Sequence, residues 1–433
     1  MTESPCTNGR SVAGSDVIVI GAGLAGLMAA VHAVRAGARV RLIAQGWGQQ
    51  MVTPGWISVC DRADDDVIAE VRGYAALHPD HPYALAEDDA FVCGIEVFRR
   101  VTAEMGLPYT GRRKDGHNMY LPTMMGAIQH AMLAPQAIAN GDLTDIKEPV
   151  LLVGFQGWRD FNPTLAAGNL KAQGIDARVC SIELPEVQHY WDMWPNDLAN
   201  QFDLAHVRQA VIRQMKSHVQ GMQSIGFAAV LGMDKHMEAV DELSQGLGYP
   251  IFEIPTLPPN SAGTRLSKRF RRWLLQHRVR VQIGHPVVRG IVEGNHCTGV
   301  EVEALGHRNT FYADHFVLAT GGLYNGGIQS DVSGRLWEAI FDLPVEKPSE
   351  EGRTGWYHDQ LLLPRGHPVH RHSGIRVNKQ MRPLNPAGEV VLDNVYVVGH
   401  MLAGFNPLTD GCAEGIALAT AYKAIRTALE LTE

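Results

Sequence analysis

The chain has 433 residues, 45% hydrophobic and 19% charged, a balance that excludes disordered and fibrous classes and fits a soluble globular protein of two or three lobes at roughly 150 residues per domain. Its 38 basic and 46 acidic residues leave a formal charge of -8, which argues against nucleic acid as a partner and favours small-molecule chemistry. Six dispersed cysteines (Cys6, Cys60, Cys93, Cys180, Cys297, Cys412) hold no CxxC pair, so no iron–sulfur or zinc site is expected and a reducing cytoplasm is the natural compartment.

Residues 1–15 are polar and read as a flexible tail rather than a signal peptide. Asp16-Val-Ile-Val-Ile then runs into Gly21-Ala-Gly23-Leu24-Ala25-Gly26 and an alanine-rich stretch, which predicts a strand, a glycine turn and a helix. Gly21 allows the tight turn, Gly23 lets backbone approach a pyrophosphate, and Gly26 lets the helix pack on the strand. A second strand, Arg39 to Ala44, follows and completes the context for a bound dinucleotide or flavin. The most apolar window, Val17 to Val31, is shorter than the ~20 residues of a membrane span. No transmembrane helix is expected.

We assign residues 16–73 to the first part of a flavin-binding domain and 74–276 to an inserted α/β lobe containing strands at Val150 to Gly154 and Phe227 to Gly232. In 277–335 alternating apolar residues at Val279–Gly284, Val287–Val292 and Thr298–Ala304 lead to Phe316-Val-Leu-Ala-Thr320-Gly321-Gly322, which predicts a β-meander closing on a glycine turn. Residues 336–381 are rich in proline, glycine and histidine and read as a loop-dominated insertion. The last part, 382–433, restores a strand at Asn394 to Gly399, then Gly404 and the turn Asp410-Gly411-Cys412-Ala-Glu-Gly415 opening an alanine-rich helix. The fold class is α/β, Rossmann-like, with a β-meander and an inserted lobe.

These motifs nominate residues for chemistry. A helix opening at Asp410 to Gly415 would offer positive potential to the charge that develops on a reduced flavin. Arg265 follows a proline- and glycine-containing loop, and its fork suits a phosphate dianion, whereas Arg271 and Arg272 suit solvent, an acidic partner or anionic lipid. His370 and His372, in His367-Pro-Val-His370-Arg-His372-Ser-Gly-Ile, are candidate bases for an alcohol proton. No Asp, Glu or Cys stands beside those histidines in the sequence, so no metal is assigned.

Gly21-Ala-Gly-Leu-Ala-Gly26, the turn with Gly55 and Ser58, Ile254-Pro-Thr-Leu-Pro-Pro259, Leu318-Ala-Thr-Gly-Gly322 and Gly404-Phe-Asn-Pro-Leu-Thr-Asp-Gly-Cys412 together resemble the B subunit of the anaerobic glycerol-3-phosphate dehydrogenase. The resemblance covers Asp16 to the C-terminal helix. It implies a flavoprotein that oxidises glycerol 3-phosphate to dihydroxyacetone phosphate beside a catalytic flavoprotein partner of the A-subunit type and an iron–sulfur membrane anchor, peripheral on the cytoplasmic membrane and passing electrons toward quinone. By the same resemblance Gly55, Ser58, Thr320, Gly321, Gly399, His400, Gly404, Asp410, Gly411 and Gly415 join the glycine turn at the cofactor. Two departures leave FAD or FMN open: Gln45 stands where many dinucleotide folds place an acid for the ribose, and His400 where many FAD proteins carry an acid. A fumarate-reductase-like or amino-acid-oxidising flavoenzyme, and a non-catalytic flavin-binding companion, are the alternatives.

Overall fold

The computed structural model describes residues 14–60, 66–112, 116–144, 146–188, 192–348, 352–357 and 367–431. Most of the expected tail lies outside these; Ser15 already belongs to the first strand. The chain forms two compact units, one of residues 1–46, 274–405 and 420–433 and one of residues 47–273 and 406–419.

In the first unit the β-branched run Val17-Ile-Val-Ile20 builds the strand Ser15–Ile20, buried on both faces as an inner parallel strand must be. Val40–Ala44 pairs with it in parallel on one side and the long strand His307–Leu318 on the other. The sheet runs Arg280–Ile283, Val40–Ala44, Ser15–Ile20, His307–Leu318, His296–Ala304, Val287–Glu293, with Val395–Val397 also parallel to the end of the long strand. Three of the expected strands form the meander, and their last member changes partners midway: residues 307–312 pair antiparallel within it and 313–318 enter the parallel sheet. The strand at 280–283, expected in the meander, instead pairs in parallel with Val40–Ala44. The described residues of 336–381 form only short elements, including Pro368–His372 and Gly374–Ile375, and the rest of that insertion lies outside the described residues.

The second unit holds its own parallel sheet, Ile251–Ile254, Ser224–Ala228, Val150–Phe155, Ala177–Ile182, with helices Pro163–Ala172, Ala205–Met215 and His236–Leu247 in the crossovers. The middle of the chain thus alternates strand and helix more regularly than its sequence suggests. Phe155 packs between the rings of Phe202 and Phe227 at 5.7 and 6.3 Å, the centre of this unit's core. Residues 47–73 and 406–419, read from sequence as flavin-domain segments, group with this unit. The cause is local hydrogen bonding: Tyr109 donates to the Gly55 carbonyl at 2.5 Å, Ile57 bridges to Leu133, and the Gly415 N–H donates to the Ser58 carbonyl.

Candidate cofactor and active site

In the first unit three turns meet at the start of the helix Leu24–Arg35. Gly21 has φ +112°, and a Cβ there would lie 2.2 Å from the Ala319 carbonyl oxygen. A Cβ on Gly26 would lie 2.0 Å from the Gly21 oxygen, so strand and helix touch through bare backbone. Gly399, at φ +65°, would bring a Cβ 2.8 Å from that of Ala25, and its N–H donates to the Thr420 hydroxyl at 3.1 Å. Gly322 abuts the His400 carbonyl, while Thr320 points its hydroxyl at the Met401 sulfur, 3.3 Å away. Gly321 takes φ +75° and Gly404 φ +93°, both in the region that favours glycine. Burial lowers the His400 imidazole below its ordinary value, so it stays neutral.

Gly23 differs from its neighbours. It is the helix N-cap, with φ -70° and ψ 173°, no side chain caps the helix, and no acid stands in the first turn. A Cβ on Gly23 would meet nothing within 4 Å. The protein's own packing among the described residues therefore does not demand glycine here, whereas a phosphate seated on the helix start, with Leu24 and Ala25 in its first turn, would. Gln45 is exposed just past the end of the neighbouring strand, where a ribose hydroxyl would be met by a neutral amide.

His370 and His372 share the short helix Pro368–His372 in the same unit. The Tyr324 ring, two residues past the Gly322 turn, lies 5.6 Å from that of His370, and the His367 ring lies 5.7 Å from it. Among the described residues the buried His370 Nδ1 has no hydrogen-bond partner, and burial, then His367, lowers this imidazole below its ordinary value. His372 is half-exposed, with Nδ1 3.9 Å from Glu346. Tyr324 was not singled out in the sequence, although its place just after an Ala-Thr-Gly-Gly turn was a usable signal.

The expected turn at Asp410 to Gly415, in the second unit, does open a helix, Ala413–Ala428, whose residues from 420 on belong to the first unit. Asp410 accepts the Asn406 N–H at 2.8 Å, Gly411 takes φ +58°, and a Cβ on Gly415 would strike the Tyr83 hydroxyl. Gly55, at φ +83°, packs on Ala262, and the Ser58 hydroxyl reaches the His130 carbonyl at 3.4 Å. Glu414 was missed. Burial pushes its carboxyl up to about 7, against the opposing pull of its own N–H and that of Ser58. The folded state therefore holds a proton that the unfolded chain releases near 4.5, and stability falls as pH rises from about 4.5 to 7. Replacing Glu414 by Gln should flatten that slope, gaining up to about 3 kcal/mol over the parent at pH 8 relative to pH 4.5; urea unfolding at both pH values checks it.

Arg265 requires a correction. It is 2% exposed in the second unit, donating to both oxygens of Glu253 at 2.6 and 2.9 Å and to the Gly232 carbonyl at 2.7 Å. The strand Ile251–Ile254 carries Glu253 into the core, and the arginine answers that charge rather than a substrate phosphate. Burial alone would raise the Glu253 carboxyl; the guanidinium, with His236, outweighs it and holds the group below its ordinary value. Arg272 lies 3.4 Å from Asp234 and Arg271 stacks over Trp47 at 5.9 Å.

Residues 16–416 match the family described as FAD binding domain. A protein of Halobacterium salinarum, named as the probable B subunit of an anaerobic glycerol-3-phosphate dehydrogenase, is 30% identical, over 96% of this chain and 98% of its own. The B subunits of the anaerobic glycerol-3-phosphate dehydrogenases of Yersinia pestis and of Vibrio cholerae serotype O1 are each 28% identical, over 94% and 96% of this chain and 96% of their own. Among solved structures, the 3-ketosteroid delta1-dehydrogenase of Sterolibacterium denitrificans is 12% identical, with a TM-score of 0.47 over 96% of this chain and 100% of that one. The helix start at Gly23, where no side chain caps the helix and glycine leaves room at Cβ, fits the dinucleotide end of the cofactor that the matched family binds. With that match spanning most of the chain and a 30% identical relative aligned over nearly the whole of both, the protein belongs to the FAD-binding-domain flavoproteins and, among them, to the B-subunit family of the anaerobic glycerol-3-phosphate dehydrogenases.

Proposed function

We propose that the chain is the flavin-binding B subunit of a complex that oxidises glycerol 3-phosphate to dihydroxyacetone phosphate, and that its cofactor is FAD. The open cradle at Gly23 supports this reading most directly, because a pyrophosphate is what such a helix start accommodates. Gly21, Gly23 and Gly26 would hold the phosphates, with Thr320, Gly321, Gly399 and His400 beside them. A bound flavin supplies a hydride acceptor. Acid extraction of the purified protein and chromatography of the released flavin tests the cofactor, FMN alone being the result against FAD.

Oxidising a secondary alcohol also requires a base for its hydroxyl proton. His370 suits this role, since its lowered pKa keeps the ring neutral near pH 7 and Nδ1 has no hydrogen-bond partner among the described residues. His372, near Glu346, would pass the proton outward. Replacing His370 by Gln should lower kcat of the assembled complex about a hundredfold and remove the acid limb of the pH–rate profile, with the Michaelis constant little changed. The His372 replacement should cost less. Full activity in both variants would assign the chemistry to another protein of the complex and leave this chain as its flavin-binding companion.

Two further proteins are expected in the complex, a catalytic flavoprotein and an iron–sulfur protein anchored in the membrane. No helix among the described residues is long and apolar enough to cross a membrane, which fits attachment through such an anchor. Salt-resistant membrane binding by the isolated chain would contradict it.

A further inference from the structure

Within the second unit a cavity of about 40 Å³ is lined by Cys60, Tyr74, His81, Tyr83, Asp410 and Cys412, among others. Cys412 is 5% exposed, while Cys60 is half-buried and so the more accessible of the two thiols. The backbones carrying them are held together through one hydroxyl: Tyr83 donates to the Val59 carbonyl at 2.8 Å and lies 3.4 Å from the Cys412 carbonyl. The Gly415 N–H bond to the Ser58 carbonyl, 3.1 Å, ties the same two segments a second time.

A ring nitrogen of His81, a carboxylate oxygen of Asp410 and the Cys412 sulfur lie within 4.8 Å of one another, an arrangement that invites a metal. The histidine argues otherwise. A neutral imidazole has one lone pair, and His81 commits it through Nδ1 to the Tyr83 N–H at 3.2 Å, capping the helix Pro82–Ala86. A cation would have to break that cap.

We propose that Cys60 and Cys412 form a dithiol that hydroperoxides convert to a disulfide, a reversible modification of the turn ahead of the helix Ala413–Ala428. The cavity admits a peroxide-sized molecule. The Cys60 sulfur attacks the peroxide O–O bond, gaining an S–OH group as the alcohol, or water, departs. The Cys412 sulfur then attacks the Cys60 sulfur; the S–S bond forms, the S–O bond breaks, and hydroxide leaves as water with the thiol proton, relayed by the nearby Asp410 carboxylate. Two thiols and one hydroperoxide thus yield one disulfide, one alcohol and one water. Cys180 and Cys297, buried and with their thiols pushed up by desolvation, remain reduced under the same treatment.

The test treats reduced, full-length protein with hydrogen peroxide, quenches it with an alkylating agent and maps peptides without reduction. A dominant Cys60–Cys412 linked peptide is expected, reversed by dithiothreitol and abolished in Cys60→Ser and in Cys412→Ser; in the latter, dimedone should label Cys60. The proposal is overturned if both cysteines stay singly alkylated after peroxide has consumed Cys93, or if Cys60 links equally to other cysteines. It is also overturned if the reduced protein binds cobalt with a sulfur-to-metal absorption band that Cys412→Ser removes, because the cluster is then a metal site.

Discussion

Replacing Arg265 by Ala should destabilise the second unit by about 3–5 kcal/mol, the loss expected when one partner of a buried ion pair is deleted and the other charge stays behind. Glu253 is fully buried, and its two oxygens face the arginine fork while one also accepts the Leu231 N–H at 2.8 Å. Beneath them His236 donates Nδ1–H to the Leu231 carbonyl at 2.8 Å, and burial, then Arg265, pushes its imidazole down to about 4, so it cannot serve as a substitute cation near neutral pH. Lysine at position 265 keeps the charge and loses the paired geometry, so it should fall between the parent and alanine. Exchanging both partners for apolar residues, Arg265→Met with Glu253→Leu, should recover only part of the loss. The Leu231 N–H and the Gly232 carbonyl would then be buried without partners, at about 1–3 kcal/mol each. Hydrogen exchange on the strands Ser224–Ala228 and Ile251–Ile254 reads the effect directly, since two units need not unfold together. An Arg265→Ala protein as stable as its parent, but with a raised Michaelis constant for glycerol 3-phosphate, would return this arginine to the substrate.

The misassignment of Arg265 shows where the sequence stops being legible. An arginine after a proline- and glycine-containing loop looks available, and its partner stands twelve residues earlier. A cue was present: Glu253 is the single charged residue of the run Ile251-Phe-Glu-Ile254, and an acid inside a short apolar strand needs a buried counter-charge. By contrast, the strand, turn and helix from Ser15 to Arg35 could be read letter by letter, because Gly21 and Gly26 answer backbone constraints that no other residue meets and Gly23 keeps the helix start clear of side chain. The parallel sheet of the second unit was half legible. Val150–Phe155 is continuously buried and apolar, whereas Ala177–Ile182 is an edge strand with exposed polar positions and gave only a faint pattern. The burial of Glu414 and the meeting of Cys60 and Cys412 at one cavity were invisible, since both arise where the 55–60 segment folds against the turn before the last helix.

Replacing Gly23 by Val should remove the flavin and spare the fold. Valine accepts the observed φ of -70° and ψ of 173°, which lie in ordinary extended space, and its side chain would meet no protein atom within 4 Å at Cβ. Losing a glycine N-cap costs up to about 1 kcal/mol, too little to unfold a domain of ordinary stability. The branched side chain would fill the space above the helix start in which a phosphate must rest, so flavin retained per chain after purification should drop at least tenfold, a loss of about 1.4 kcal/mol or more in binding. Gly21→Ala and Gly26→Ala should behave in the opposite way. Their added methyl groups would stand about 2 Å from the Ala319 and Gly21 oxygens, and at Gly21 the residue must also hold φ +112°, so both variants should lose soluble folded protein before flavin affinity can be measured. Circular dichroism melts read beside acid-released flavin separate the two classes. Full flavin occupancy in folded Gly23→Val would place the phosphate elsewhere and reduce the glycine turn to a packing device, for which Gly21 and Gly26 alone suffice.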